Sequence, residues 1–110
     1  MYEDEVAIGI DFGTTFSCMA VLRDDDNIEV IPNELGENIT PSIVSFLDER
    51  VLVGEQTLIQ LIKNPKKTIY SIKRLIGRSY DEIIKENNSL AYDIVKDDKS
   101  GKPKIRIEKK

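Results

Sequence analysis

The residues of this chain best suited to chemistry stand together near its start: Asp11, Gly13, Thr14 and Thr15, within the run IGIDFGTTFSC from Ile8 to Cys18. A turn bent at glycine can point successive backbone N–H groups into one concavity, and such a nest binds phosphate oxygens without a formal positive charge. The two threonines add hydroxyl donors at the same place. Asp11 by itself would repel a phosphate. A hard cation such as Mg²⁺ between the two anions, held directly or through water, reconciles them. The plain alternative is a hairpin turn followed by β-forming residues, and a motif this short leaves both readings open until its context is known.

The surrounding pattern says what positions these groups. Ile8 and Ile10 alternate with Gly9, so a strand delivers Asp11 at its end. Phe16, Cys18, Ala20 and Leu22 then alternate with Ser17, Met19 and Val21 as a return strand, and Ile28, Val30 and Ile31 form a third that ends at Pro32. The spacing predicts an antiparallel meander of three strands. The aspartates 24–26 at its tip have no second ligand cluster at a recognisable spacing, so they read as a solvated turn rather than a metal site.

Turn formers fill residues 33–38, and Thr40-Pro41-Ser42 biases the backbone toward extended structure, which makes this stretch the candidate boundary between two subdomains. Strands are expected over 43–47 and 50–53. Leu58, Ile59, Leu61 and Ile62 fall three and four apart, predicting a helix over 55–63 whose apolar stripe packs in the core, ended by Asn64-Pro65. Ser79 and Glu82 have capping-box spacing, so a second helix is expected over 80–86, burying Ile83 and Ile84 and ended by Asn87-Asn88-Ser89. A strand over 91–95, a turn over 97–101 and a return strand over 104–109 with Ile105 and Ile107 inward complete the chain.

Composition narrows the chemistry. The 110 residues carry a net charge of −4, 40% hydrophobic and 33% charged residues, one cysteine and no histidine. An acidic balance argues against a dedicated nucleic-acid binder. Without histidine there is no Ser-His-Asp or Cys-His mechanism and no histidine-ligated metal among these residues, and Cys18 alone can form no internal disulfide, which fits a reducing compartment. No apolar run approaches the about 20 residues of a membrane span. Against this acidic background Lys63, Lys66, Lys67, Lys73, Arg74 and Arg78 lie in a stretch free of acidic residues, either a solvated face or a site for an anion.

Three segments, in order, resemble the heat-shock protein 70 family of chaperones: IGIDFGTTFSC, then ITPSIVSF with the following VLVGEQT, then IKRLIGR. The first also resembles the phosphate loop of actin-like ATPases in general. The resemblance runs nearly from end to end and implies an α/β, actin-like ATPase (ribonuclease H-like) fold, with residues 1–39 as the inner subdomain of lobe I and 40–110 as the outer. It implies ATP/ADP and Mg²⁺ as cofactors, with Gly13, Thr14, Thr15 and Phe16 on the phosphates and Asp11 at the hydrated metal. Lys73 matches the family's active-site lysine, which reaches the γ-phosphate and orients the attacking water. Phe16 departs from the tyrosine many members carry, which removes a hydroxyl there.

By the same resemblance the chain is the N-terminal part of a longer cytoplasmic chaperone that hydrolyses ATP to control the binding of unfolded polypeptides. The rest of the ATPase domain and the peptide-binding domain would lie outside it, and these residues alone would be inactive. The implied partners are unfolded polypeptides, J-domain co-chaperones and nucleotide exchange factors, with no nucleic acid and no membrane. Arg74 and Arg78 are expected to pair with carboxylates across lobes or near the cleft. Two rivals remain: another actin-like ATPase, such as a sugar kinase, and a non-catalytic module that binds co-chaperones.

Overall fold

In the computed structural model, which describes residues 5–24, 26–86 and 89–108, two antiparallel sheets and a hairpin follow one another along the chain. In the first sheet β1 (Ile8–Phe12) pairs with β2 (Phe16–Leu22), in register from Ile8↔Val21 to Phe12↔Ser17. The other side of β2 pairs with β3 (Ile28–Val30). A fourth strand, β4 (Thr40–Pro41), also joins β2, opposite Phe16 and Ser17. Alternation did not announce β4, because two residues are too few to show a period. The sheet is thinly covered: Val21 is buried, whereas Ile8, Ile10 and Ile28 lie in the open. The chain is correspondingly long, 49 × 31 × 23 Å, with a radius of gyration of 17.3 Å. A compact domain of this length has about 13 Å.

The second sheet has β5 (Val44–Phe46) at its centre, flanked by β6 (Val51–Val53) and β7 (Thr68–Ile69). The helix expected over 55–63 is not continuous. Gly54, at φ 79°, turns the chain out of β6 into a 3₁₀ turn over Gly54–Thr57, and α1 spans only Gln60–Lys63. Of the four aliphatics only Leu61 and Ile62 fall in the helix proper, a single turn too short to carry the long apolar face that the spacing predicts. The buried residue is Thr57, whose hydroxyl donates to the Gly54 carbonyl at 2.5 Å, while Leu58, Ile59 and Ile62 face solvent. The expected core stripe is therefore not one. Asn64-Pro65 does end the helix: Asn64 is its C-cap and Pro65 opens a further 3₁₀ turn.

The principal core gathers Ile69, Leu75, Ile83 and Tyr92. Ile83 comes from α2 (Tyr80–Lys85), which starts with the capping box read from the sequence: the Glu82 amide donates to Ser79 Oγ and the Ser79 amide to Glu82 Oε1. Ile84, expected inside, is exposed, because the short helix buries one line of residues only. The sequence-predicted stop at Asn87-Asn88 lies outside the described residues. β8 (Asp93–Lys96) and β9 (Pro103–Arg106) form the last hairpin, and Ile105 and Ile107 pack against the core as alternation requires. Tyr92 packs edge-on against Tyr70, with ring centroids 5.4 Å apart, and donates its hydroxyl to the Tyr70 carbonyl at 2.7 Å. Burial pushes its phenol up to about 12.

Candidate phosphate site

The tip between β1 and β2 is a tight turn. The Gly13 amide donates to the Phe16 carbonyl at 3.0 Å, leaving Thr14 and Thr15 as the loop. A side chain at Gly13 has no room, since an added Cβ would stand 2.3 Å from that same carbonyl oxygen. Glycine is thus required here by close approach. Gly13 shapes the turn but commits its own amide inside it, so the free donors are those of Thr14 and Thr15, whose amides and hydroxyls make no hydrogen bond among the described residues.

A brace that sequence reasoning missed fixes this turn from below. Ser42, just past β4, donates its hydroxyl to the Gly13 carbonyl at 2.9 Å and its amide to the Thr15 carbonyl at 2.8 Å. Ser17 Oγ lies 2.8 Å from Ser42 Oγ, and with the Ser42 proton given to Gly13, Ser17 is the donor of that pair. The only sequence signal was the position of Ser42 within ITPSIVSF, far along the chain from the turn.

A concavity of about 390 Å³ joins Thr14 and Thr15 to Ile43, Tyr70 and Ser71. That volume is within the usual range of small-ligand sites. Ser71 has a left-handed backbone, φ 54° and ψ 34°, which is uncommon for a residue with a side chain and redirects the chain into the 3₁₀ turn Ile72–Arg74. The turn carries Lys73 back to the end of β1, where its Nζ lies 5.8 Å from the centre of the Phe12 ring. Asp11 is exposed on β1, opposite Cys18 in the ladder. The structure thus brings the Lys73 segment to the hairpin, although sequence separates them widely.

A larger concavity of about 730 Å³ lies between residues 72–79 and the β8–β9 hairpin. Its lining includes the aliphatic Leu75, Ile76 and Ile105, and Arg78, which also lines it, is already committed in a bidentate pair to Glu86. Free donors make the smaller concavity the better anion site despite its size. Arg78 accordingly serves its own segment, and Glu86 holds its guanidinium pKa above the ordinary arginine value. Among the described residues no three potential ligands cluster around a metal position. The donor set nevertheless fits a metal–nucleotide: one carboxylate and water suit Mg²⁺ where phosphate oxygens supply the remaining ligands.

Among the described residues, unpaired donors in a glycine-shaped turn, a neighbouring carboxylate and a lysine without an ion pair, brought in from another segment, stand near one another in an α/β chain, and groups of these types suit an anion. The family is narrower than that class: the Hsp70 protein family model matches residues 7–110, and the chain belongs to the Hsp70 family. That family has the actin-like ATPase fold, with which the α/β architecture and antiparallel sheets agree. Similar proteins include heat shock 70 kDa protein 2 of Paracoccidioides lutzii, 42% identical over 104 residues, and a heat shock 70 kDa protein of Emericella nidulans, 42% identical over 102 residues. A third, the ribosome-associated molecular chaperone SSB of Candida glabrata, is 42% identical over 102 residues. Each alignment covers 93% of this chain, which spans only 15–16% of the length of these relatives. No helix among the described residues is long and apolar enough to cross a membrane.

Proposed function

We propose that these residues are the start of an ATP-binding lobe, residues 1–39 as its inner and 40–110 as its outer subdomain, in a cytoplasmic chaperone that hydrolyses ATP to control binding and release of unfolded polypeptides. J-domain co-chaperones and nucleotide exchange factors are its partners in this reading. The observation that carries it is that Thr14 and Thr15, whose donors are free among the described residues, line the same concavity as Tyr70 and Ser71, the segment that leads into Lys73. Thr14, Thr15 and the Phe16 amide bind phosphate oxygens around the turn that Gly13 shapes, and Asp11 orients the water shell of Mg²⁺. The metal supplies charge neutralisation at the phosphates. Lys73 places a compact ammonium where negative charge develops during transfer to water.

The test is ATP affinity and single-turnover hydrolysis in the natural gene product that carries this sequence, wild type against Lys73→Ala. Loss of one preorganised donor should slow hydrolysis by about 10²–10³, or about 2.7–4 kcal/mol, with ATP still bound. A wild type that binds no ATP refutes the reading and favours a non-catalytic module for co-chaperones. Phosphoryl transfer to a sugar favours the sugar-kinase branch of the fold.

A further inference from the structure

Half of the basic stretch is committed to carboxylates: Lys66 pairs with Asp93, Lys67 with Asp48 and Arg78 with Glu86. Lys73 makes no ion pair among the described residues; its recorded partner is the face of the Phe12 ring. Phe12 is 42% exposed, so the ring is not consumed by the core. It sits between Asp11 and Gly13, and its place in the ladder is opposite Ser17, one end of the serine brace that fastens the turn. Wherever the phosphate turn sits, this ring sits with it.

We propose that Phe12 is a positioning residue for Lys73, its ring holding the ammonium at the mouth of the hairpin; the proposal rests on the reading that Lys73 serves the phosphates. A lysine side chain has four rotatable bonds and would otherwise sample many places. A carboxylate partner would fix it but cancel its charge, and that ion pair would have to break when an anion arrived. The ring fixes it while leaving the charge intact, since the attraction is to the quadrupole of a neutral group. Pleating also sends Phe12 and Asp11 to opposite faces of β1, so holding the cation on the ring keeps it from pairing with the carboxylate next door. The left-handed turn at Ser71 aims the lysine from its own side.

The experiment uses the natural gene product with lysines labelled by ¹³C reductive methylation, which keeps their charge. The Lys73 signal, identified by its disappearance in Lys73→Arg, should be shifted upfield by the ring, return to the common lysine position in Phe12→Leu, and remain shifted in Phe12→Trp. Single-turnover hydrolysis should fall about 2- to 5-fold in Phe12→Leu, the exposed cation–π range converted at 1.36 kcal/mol per tenfold, and recover in Phe12→Trp. ATP affinity should stay within about 2-fold. On a Lys73→Ala background Phe12→Leu should change nothing further, as a merely structural role would not predict. An unshifted Lys73 signal, or an equal slowing with and without Lys73, overturns the proposal. A wild type that binds no ATP yet shows the shifted signal, lost in Phe12→Leu, overturns the ATPase reading and leaves the hold on Lys73 standing.

Discussion

Replacing Gly13 by alanine is the sharpest probe of the turn. The new Cβ would stand 2.3 Å from the Phe16 carbonyl oxygen, more than 1 Å inside the 3.4 Å at which ordinary contact begins. That oxygen is also the acceptor for the Gly13 amide, so relief of the clash must stretch the bond that closes the hairpin. The turn cannot simply slide, because Ser42 ties the carbonyls of both Gly13 and Thr15. Crowding costs about 1–3 kcal/mol and the weakened hydrogen bond about 0.5–1.5 kcal/mol, so about 2–4 kcal/mol of local stability is lost. Hydrogen exchange of the β1–β2 ladder amides reads local opening directly, and should accelerate about 30- to 900-fold at 1.36 kcal/mol per tenfold. Gly9→Ala is the control, since a Cβ there meets nothing within 4 Å and exchange should stay within about 3-fold. Rates in Gly13→Ala within about 3-fold of wild type would refute the steric reasoning.

Two further outcomes follow from the second sheet and the last hairpin. Thr68 is fully buried and shares its hydroxyl proton between the carbonyls of Asn64 at 2.9 Å and Gln60 at 3.2 Å while accepting from Ser45 Oγ; Thr68→Val should therefore cost about 1–3 kcal/mol in thermal or denaturant unfolding, and Thr68→Ser much less. Equal losses in both variants would put the cost in packing instead. The Asp97 carboxyl is held down to about 2, chiefly by the Lys104 ammonium and next by the Ser100 hydroxyl and amide. Its folded value lies below the ordinary 3.8, so its contribution to hairpin stability is present above that pH and fades as pH falls toward 2. A ¹³C carboxyl titration should show a midpoint near 2 that rises in Lys104→Ala, and a wild-type midpoint near 4 would contradict the pairing.

Local rules made some of this molecule legible in advance. The Ile8–Phe12 strand, its return through Leu22 and the capping box at Ser79 each depend on residues within a few positions of one another, which is the range over which alternation and capping operate. The 55–63 segment failed for a reason of the same scale. Its apolar spacing is helical, but the chain enters through a left-handed glycine and a 3₁₀ turn, so the helix proper is cut to Gln60–Lys63 and Leu58, Ile59 and Ile62 are left exposed. A period shows which residues would share a face if the helix were continuous; it does not show where the helix begins.

The sequence by itself determined the chemical inventory: a carboxylate, a glycine turn with two threonines, a lysine in a stretch without acids, and no histidine to act in their place. Only the tertiary structure decided which of those groups are free to act. It committed the Gly13 amide to closing the turn, left Thr14 and Thr15 open, and occupied Lys66, Lys67 and Arg78 with carboxylates. It also set Lys73 on the Phe12 ring and braced the turn through Ser42. Side-chain type fixes what a group can donate or accept, whereas partners distant in sequence and near in space fix whether that capacity is already used.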